Sequence, residues 1–193
     1  DSSDFELSLN ATSSEDGTFA SASTNFHVDI TGIADNPIVN VSNATGFEDT
    51  AIALDINTAS TDASETLTTA IGNIPIGAIL SDGVNVFTAT EGEDSWDISA
   101  WNMDNLNITP PEDSNVDFNL SITATSYDDG DINSTTSSLH VDVVGVADQP
   151  ELSVSDVSGE EDSAIALSIA AKLTDTDGSE VLALTLNGVP EGA

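Results

Sequence analysis

The chain has 193 residues, of which 35 are acidic and only one is basic, so its formal net charge is −34. This balance excludes nucleic acids and anionic membrane surfaces as partners, because both are bound through Lys and Arg side chains. The chain has no cysteine, which excludes disulfides and thiol chemistry. No apolar run approaches the roughly 18 residues of a membrane-spanning segment. A hydrophobic content of 38%, arranged in alternating runs, favours folded domains that are weak without cations over disorder.

The sequence repeats itself at a constant offset of 113 residues, from Asp4 to Asp117. Residues 4–54 match residues 117–167 without a gap, and residues 74–78 match residues 189–193 after a gap of two residues. A period of this length is enough for a domain with its own core. It is too long for solenoid repeats of roughly 20–50 residues. We therefore expect an array of separate domains, of which this chain contains one whole copy and two pieces.

Alternation of apolar and polar side chains predicts β-strands in each copy. In chain order, the clearest runs are residues 4–13, 26–30, 117–124, 139–143, 165–169 and 182–186. Turn signals that contain glycine separate the runs, at residues 82–83, 91–94, 128–130 and 177–178. About seven or eight short strands fit into one period, which is typical of an immunoglobulin-like sandwich. The predicted fold class is all-β, as tandem immunoglobulin-like β-sandwich domains.

Two short linkers, residues 32–37 and 145–150, end in a proline. Proline ends strand pairing and keeps the residue before it extended. We therefore predict that residues 1–37 are the C-terminal part of one repeat, residues 38–149 a complete repeat, and residues 150–193 the N-terminal part of the next. Only residues 38–147 are expected to fold as a complete unit. The linkers lack Gly/Ser runs, so neighbouring domains should touch rather than swing freely.

The loop Asp175-Thr176-Asp177-Gly178-Ser179-Glu180 is the first candidate metal site. Carboxylates at alternate positions of a tight turn converge, and Ca²⁺ accepts about six to eight oxygen ligands in irregular geometry. We predict Ca²⁺ at Asp175, Asp177 and Glu180, the alternative being a solvated turn. The final Glu arrives too early for an EF-hand loop. The copy of this loop has lost two residues and keeps Asp62 and Glu65, so its site should be weaker or missing.

The linkers carry the second candidate set. Asp148 is followed about a dozen residues later by Glu160, Glu161 and Asp162, and its copy Asp35 is followed by Glu48 and Asp49. We take six of these acids as candidate Ca²⁺ ligands: Asp148, Glu161, Asp162, Asp35, Glu48 and Asp49. Whether the first strand of a repeat lets them reach one ion is not decided by the sequence. The alternative is a charged joint without an ion.

The third candidate set is Asp128, Asp129 and Asp131, which surround Gly130. The matching segment in the first piece, residues 15–18, lacks the last acid. A hairpin turn is therefore favoured over a metal site, although we keep the three acids as candidate ligands.

No residue pattern indicates catalysis, and we predict that the chain is not an enzyme. His27 and His140 occupy the same repeat position on the outward face of a strand, which favours a scaffold role. Neither histidine has the Ser and Asp partners of a catalytic site or the ligand spacing of a zinc site. A sugar-stacking platform of Trp96, Trp101 and Met103 is the alternative to their packing in the core, and the spacing favours packing.

One further segment carries a family resemblance. It runs Leu106-Asn107-Ile108-Thr109-Pro110-Pro111-Glu112-Asp113-Ser114 and continues into the alternating run 117–125. Together with the Gly-Val-Ala-Asp-x-Pro linker, Glu-Glu-Asp-Ser-Ala and Asp-Thr-Asp-Gly-Ser-Glu, it resembles the tandem immunoglobulin-like or cadherin-like extender repeats of giant bacterial RTX-type surface adhesins. The resemblance covers the whole chain. It implies an extender whose domains are rigidified by Ca²⁺, as in cadherin linkers.

From the residues and this resemblance together we expect a calcium-stabilised spacer in a large secreted bacterial protein. Such a spacer would project a distal binding domain from the cell surface for adhesion or biofilm formation. Its expected partners are neighbouring repeats of the same chain and calcium ions, without nucleic acid or membrane insertion. The alternative is a carbohydrate- or protein-binding module of a cell-surface protein, for which Trp96, Trp101 and Tyr127 are the available aromatic residues.

Overall fold

A computed structural model describes residues 3–175 and 177–191 of the chain. The fold is all-β, as the sequence predicts. The strands are β1 (Phe5–Glu15), β2 (Thr18–Val28), β3 (Ile38–Ser42), β4 (Ala44–Phe47), β5 (Ile52–Ala53), β6 (Asp55–Ala59), β7 (Thr66–Gly72), β8 (Ile79–Ser81), β9 (Val86–Thr88), β10 (Trp96–Asp97), β11 (Asn107–Thr109), β12 (Phe118–Asp128), β13 (Asp131–Val144), β14 (Glu151–Ser155) and β15 (Ser168–Lys172). A 3₁₀ turn covers Met103–Asn105. No helix in the described part of the chain is long and apolar enough to cross a membrane.

The complete repeat contains eleven strands, β3 to β13, rather than the expected seven or eight. The difference comes from strands of two or three residues, such as β5 and β10, which are too short to show alternation. Five strands form one sheet in the order β10-β7-β12-β13-β4, and four form another in the order β5-β11-β8-β9. These sheets face each other across one core.

The first strand of the repeat changes partner along its length. Its beginning, β3, pairs antiparallel with β6, and its continuation, β4, pairs parallel with β13. This extended segment starts at the linker before the repeat and ends at Phe47, beside the end of β13. It therefore connects the two ends of the domain.

In the described part of the chain, every buried residue of the main hydrophobic cluster comes from the sequence segment between Ile52 and Val143. In β12, Leu120, Ile122 and Ala124 are buried while the residues between them are only partly so, which is the predicted alternation. Facing them are residues of the second sheet, including Leu80 and Ile108. Trp101 and Met103 pack against this cluster, as expected for core packing. Trp96 stacks on Phe87 with 4.5 Å between ring centroids.

Each end piece forms a two-stranded sheet, β1–β2 in the first piece and β14–β15 in the last, and both sheets have exposed apolar side chains. The β1–β2 hairpin matches β12–β13 in register, yet Leu7 is 43% exposed where its copy Leu120 is fully buried. In the last piece, β15 covers only part of the predicted run 165–169, and no strand covers the predicted run 182–186. The counterpart of that run is β7, which is a strand because β10 and β12 pair with it. Residues 182–186 have no pairing partner of this kind in the described part of the chain.

Asp82 holds the loop that follows β8. Its carboxylate is 4% exposed and accepts hydrogen bonds from the backbone N–H groups of Val84, Asn85 and Asn102 at 2.9, 2.6 and 2.9 Å. The side-chain amide of Asn85 donates a fourth, at 2.9 Å. These donors, led by the N–H of Asn85, hold the pKa of Asp82 well below its usual range.

Leu120→Ala should lower the free energy of unfolding of the complete repeat by about 2–5 kcal/mol, because it opens a cavity in a closed core. Leu7→Ala is the matched control, since the same change is made at the same repeat position on an exposed strand. It should change the value by no more than about 0.5 kcal/mol. Equal effects of the two changes in urea unfolding would contradict a core confined to the complete repeat.

Asp82→Asn should lower the melting temperature at neutral pH, because an amide NH₂ would face N–H donors. The folded-state pKa of Asp82 is depressed, so its contribution to stability is present above the unfolded value and is lost as pH falls. The melting temperatures of the wild type and the variant should therefore converge as pH falls below 3.8, the ordinary value for Asp. A gap that stays constant with pH would contradict this role.

Candidate metal centre at the repeat junction

Acidic loops from both sides of the second linker meet at one end of the complete repeat. Glu48 and Asp49 lie in the loop between β4 and β5, and Asp113 lies between β11 and β12. Asp148 belongs to the linker after β13. Asp175, Asp177 and Glu180 follow β15, in the next repeat. The junction therefore collects side chains from the complete repeat, the linker and the following piece.

Glu48 is at the centre of the first acidic group. It is 3% exposed, and Asp175 is 4% exposed. One carboxylate oxygen from each of Glu48, Asp175 and Asp177 lies within 4.8 Å of the others. The Oε1 atom of Glu48 accepts a hydrogen bond from the backbone N–H of Val146 at 2.5 Å. The other oxygen, Oε2, is buried and has no hydrogen-bond partner among the described residues.

Asp49, Asp113 and Asp148 form the second acidic group, with one carboxylate oxygen each within 4.8 Å of the others. The backbone N–H of Asp113 donates to Oδ1 of Asp49 at 3.0 Å, which fixes the two loops against each other. Burial is the main cause that raises the pKa of Asp113 above its usual range, and the charges of Asp49, Glu112, Asp175 and Asp148 add to it. Because Asp175 contributes, the two acidic groups are electrostatic neighbours.

Backbone N–H groups hold the loop of the following repeat in place. Asp175 accepts from the N–H of Asp177 at 2.8 Å, and Asp177 accepts from the N–H of Ser179 at 2.7 Å. The Oε1 atom of Glu180 accepts from the N–H of Asp148 at 2.5 Å, which joins the loop to the linker. Ser179, through its hydroxyl and then its N–H, lowers the pKa of Asp177. These bonds orient the carboxylates toward the junction.

Protein cations are not available to neutralise these acids. The only Lys or Arg in the sequence is Lys172, whose Nζ lies 3.0 Å from Glu151 on an exposed surface. A buried carboxylate oxygen without a partner is costly unless a cation or proton satisfies it. Ca²⁺ takes its ligands from carboxylate and carbonyl oxygens. The donor set and the orphaned Oε2 of Glu48 therefore fit a divalent, oxygen-seeking cation.

The structure brings most of the candidate ligands to two junctions and gives the grouping that the sequence left open. Glu48 and Asp49 lie beside Asp148, not beside Asp35. The reason is that β3 and β4 are extended, and about ten residues of strand span roughly 30 Å. Glu161 and Asp162, the copies of Glu48 and Asp49, are exposed and belong to no acidic group among the described residues.

The third predicted set lies at the first junction. Asp128–Asp131 is a two-residue hairpin turn, with φ of 43° at Asp129 and 89° at Gly130, so the hairpin prediction is confirmed. The turn also binds the first linker, residues 32–37. Asp129 accepts a hydrogen bond from the N–H of Gly32, and Asp131 accepts one from the N–H of Ala34, both at 3.0 Å. An added Cβ at Gly32 would lie 2.3 Å from the Asp128 carboxyl group, so any other residue here would displace that carboxyl group. Burial and the charge of Asp129 raise the pKa of Asp128.

Asp113 is the junction residue that the sequence reasoning did not select as a ligand. A signal was present, because β12 and β13 are antiparallel neighbours. Acids just before β12 must therefore lie beside the linker just after β13. Asp117 follows the same rule, since its Oδ1 accepts from the N–H of Val143 at 2.8 Å.

A third group, Asp4, His27 and Asp29, is exposed. At the same positions of the complete repeat, Asp142 accepts from the hydroxyl of Thr45 at 3.2 Å, and the N–H of His140 donates to Asn43 at 3.2 Å. The segment around β4 thus engages these positions in the complete copy. The group in the first piece is an uncovered strand edge rather than a site.

Comparison with known proteins adds no relative to this picture. No protein-family model matches the chain, and no curated protein matches it.

Asp113→Asn should have opposite effects with and without a divalent cation. In chelator, the raised pKa means that the charged carboxylate opposes folding, so the variant should melt at a higher temperature than wild type at neutral pH. With excess Ca²⁺ the variant should lose that advantage, because a ligand charge is missing. Asp104→Asn, an exposed acid of the same repeat, is the control and should shift neither melting temperature. The same shift in both buffers would contradict an ion-binding role for Asp113.

Proposed function

We propose that this chain is a non-catalytic spacer from a tandem array, whose joints are stiffened by Ca²⁺. The observation that carries the proposal is Glu48. Its buried Oε2 has no partner among the described residues, and its carboxylate converges with Asp175 and Asp177 of the following repeat. A carboxylate in this position is stabilised by a cation that also binds the next domain.

Ca²⁺ fits this donor set better than other common cations. All candidate donors are oxygens, which disfavours zinc and copper, whose sites use Cys or His. Mg²⁺ keeps several waters and demands near-octahedral geometry, whereas Ca²⁺ accepts many carboxylates in irregular arrangements. The available acids are Glu48, Asp49, Asp113, Asp148, Asp175 and Asp177. Extracellular calcium modules bind with dissociation constants of roughly 10⁻⁴–10⁻³ M, which suits a joint in a protein outside the cell.

A cation at this joint would act mechanically. Glu48 and Asp113 belong to the complete repeat, Asp148 to the linker, and Asp175 and Asp177 to the next repeat. Binding would fix three segments relative to one another and remove the repulsion among their charges. Repeated at every period, such joints would turn a string of domains into a semi-rigid rod.

The resemblance to adhesin extender repeats gives this rod a biological setting. In that setting the array belongs to a large secreted protein of a bacterial surface and holds a distal binding domain away from the cell. The absence of cysteine agrees with this setting. A secreted domain that cannot form disulfides can be stabilised by bound metal ions instead. The rival idea, a ligand-binding module, would need free aromatic rings. Trp101 packs on the core and Trp96 stacks on Phe87, which gives both rings a packing role, although Trp96 is 43% exposed and Tyr127 39% exposed.

Thermal melting with and without Ca²⁺ tests the proposal. At a free Ca²⁺ concentration of about 100 times the dissociation constant, one site contributes about 2.7 kcal/mol, or roughly 10–15 °C in melting temperature for a repeat of about 110 residues. Glu48→Gln should remove much of that gain. Glu161→Gln is the matched control, because it changes the same repeat position where the side chain is exposed, and it should keep the full gain. An unchanged wild-type melting temperature on addition of EDTA would sink the calcium proposal.

A further inference from the structure

The two linkers of this chain are followed by acidic loops of different length. Residues 60–65 follow β6, and residues 173–180 follow β15, the strand at the same repeat position. Both loops end in Ser-Glu. Matched backward from that glutamate, Ser60 stands where Asp175 stands, and Asp62 where Asp177 stands.

Hydrogen bonds support this backward match. The N–H of Ser64 donates to Asp62 at 2.9 Å, as the N–H of Ser179 donates to Asp177 at 2.7 Å. The N–H of Asp62 donates to the Ser60 hydroxyl oxygen at 3.2 Å, as the N–H of Asp177 donates to Asp175 at 2.8 Å. The two loops therefore share one backbone design, in which a serine hydroxyl replaces a buried carboxylate.

The contact between loop and linker is also shared. The N–H of Asp35 donates to Oε1 of Glu65, as the N–H of Asp148 donates to Oε1 of Glu180. The shorter loop thus reaches its linker as well as the longer loop does. The shorter loop therefore keeps the hydrogen bond between its glutamate and the linker. What differs between the two loops is the group beside the second oxygen of that glutamate.

That change concerns the second oxygen of each glutamate. At the first junction, the Ser60 hydroxyl donates a hydrogen bond to Oε2 of Glu65. At the second, Oε2 of Glu180 is buried and has no hydrogen-bond partner among the described residues. Asp175 is an acceptor when ionised and offers no proton to it. The N–H of Asp35 and then the Ser60 hydroxyl keep the pKa of Glu65 below its usual range, so its charge is satisfied without an ion.

We infer that the two joints differ by one cation. The second joint takes a Ca²⁺ ion among Glu48, Asp175 and Asp177, whereas at the first joint the Ser60 hydroxyl replaces the Asp175 ligand and that ion is absent. This inference rests on the proposed function. It follows that an array of these repeats contains joints with different calcium requirements, set by a loop of six or eight residues.

A loop graft tests the inference. Residues 173–180 are replaced by Ser-Thr-Asp-Ala-Ser-Glu, the sequence of residues 60–65, and Asp175→Ser is made as a second variant. Bound Ca²⁺ is counted by native mass spectrometry, and affinity is measured by calorimetry. Both variants should bind one Ca²⁺ fewer than wild type, or bind it at least about tenfold more weakly. Circular dichroism melting of the complete repeat in chelator checks that both variants stay folded.

Glu161→Gln serves as the control, because it also removes one acid from the last piece and should leave the count unchanged. If the graft and Asp175→Ser keep the wild-type count and affinity, the inference is overturned while the calcium spacer stands. If wild type binds no Ca²⁺, the proposed function itself fails, and with it the inference. If either the graft or Asp175→Ser fails to fold, the Ca²⁺ count of the other variant decides the outcome.

Discussion

Repulsion among carboxylates at the joint between repeats is the constraint on which the rest of the structure depends. Six acids converge there, and two of them, Glu48 and Asp175, are almost fully buried. The chain has one lysine and no other strong base, and that lysine pairs with Glu151 instead. On the proposal made above, the joint takes a cation from solvent, and its stability would then depend on the ionic conditions around the protein.

The strands of the β-sandwich bring the acidic loops to one end of the repeat, and hydrogen bonds within the loops then orient the carboxylates. The segment β3–β4 runs the length of the repeat and delivers Glu48 beside the end of β13. The antiparallel pair β12–β13 places Asp113 and the linker at the same end. The hairpin tip at residues 128–131 lies at the other end and holds the preceding linker. One strand layout therefore supplies half of a joint at each end, and the repeat offset brings the halves together in an array.

Much of this organisation was predictable from the sequence. Strict alternation identified β12 and β13, and Gly130 after Asp129 identified their turn, because both signals are local. Glu48 could not be assigned to Asp148 in the same way, since that contact depends on the direction of β3 across the sandwich. The sequence showed that the shorter loop has lost two residues and keeps Asp62 and Glu65, but not which acid of the longer loop Asp62 corresponds to; the hydrogen bonds match it to Asp177. A constant sequence offset cannot locate a deletion inside a loop. Equivalent hydrogen bonds can, because the N–H of Ser64 donates to Asp62 as the N–H of Ser179 donates to Asp177.

The most direct measurement is an anomalous difference map from crystals of this chain grown in Ca²⁺. The account predicts a peak at the second junction, within the roughly 2.3–2.6 Å Ca–O distance of carboxylate oxygens from Glu48, Asp175 and Asp177. Such a peak would give the orphaned Oε2 of Glu48 its partner. A map without a peak there, with Glu48 hydrogen-bonded only to water or protein, would contradict the central claim.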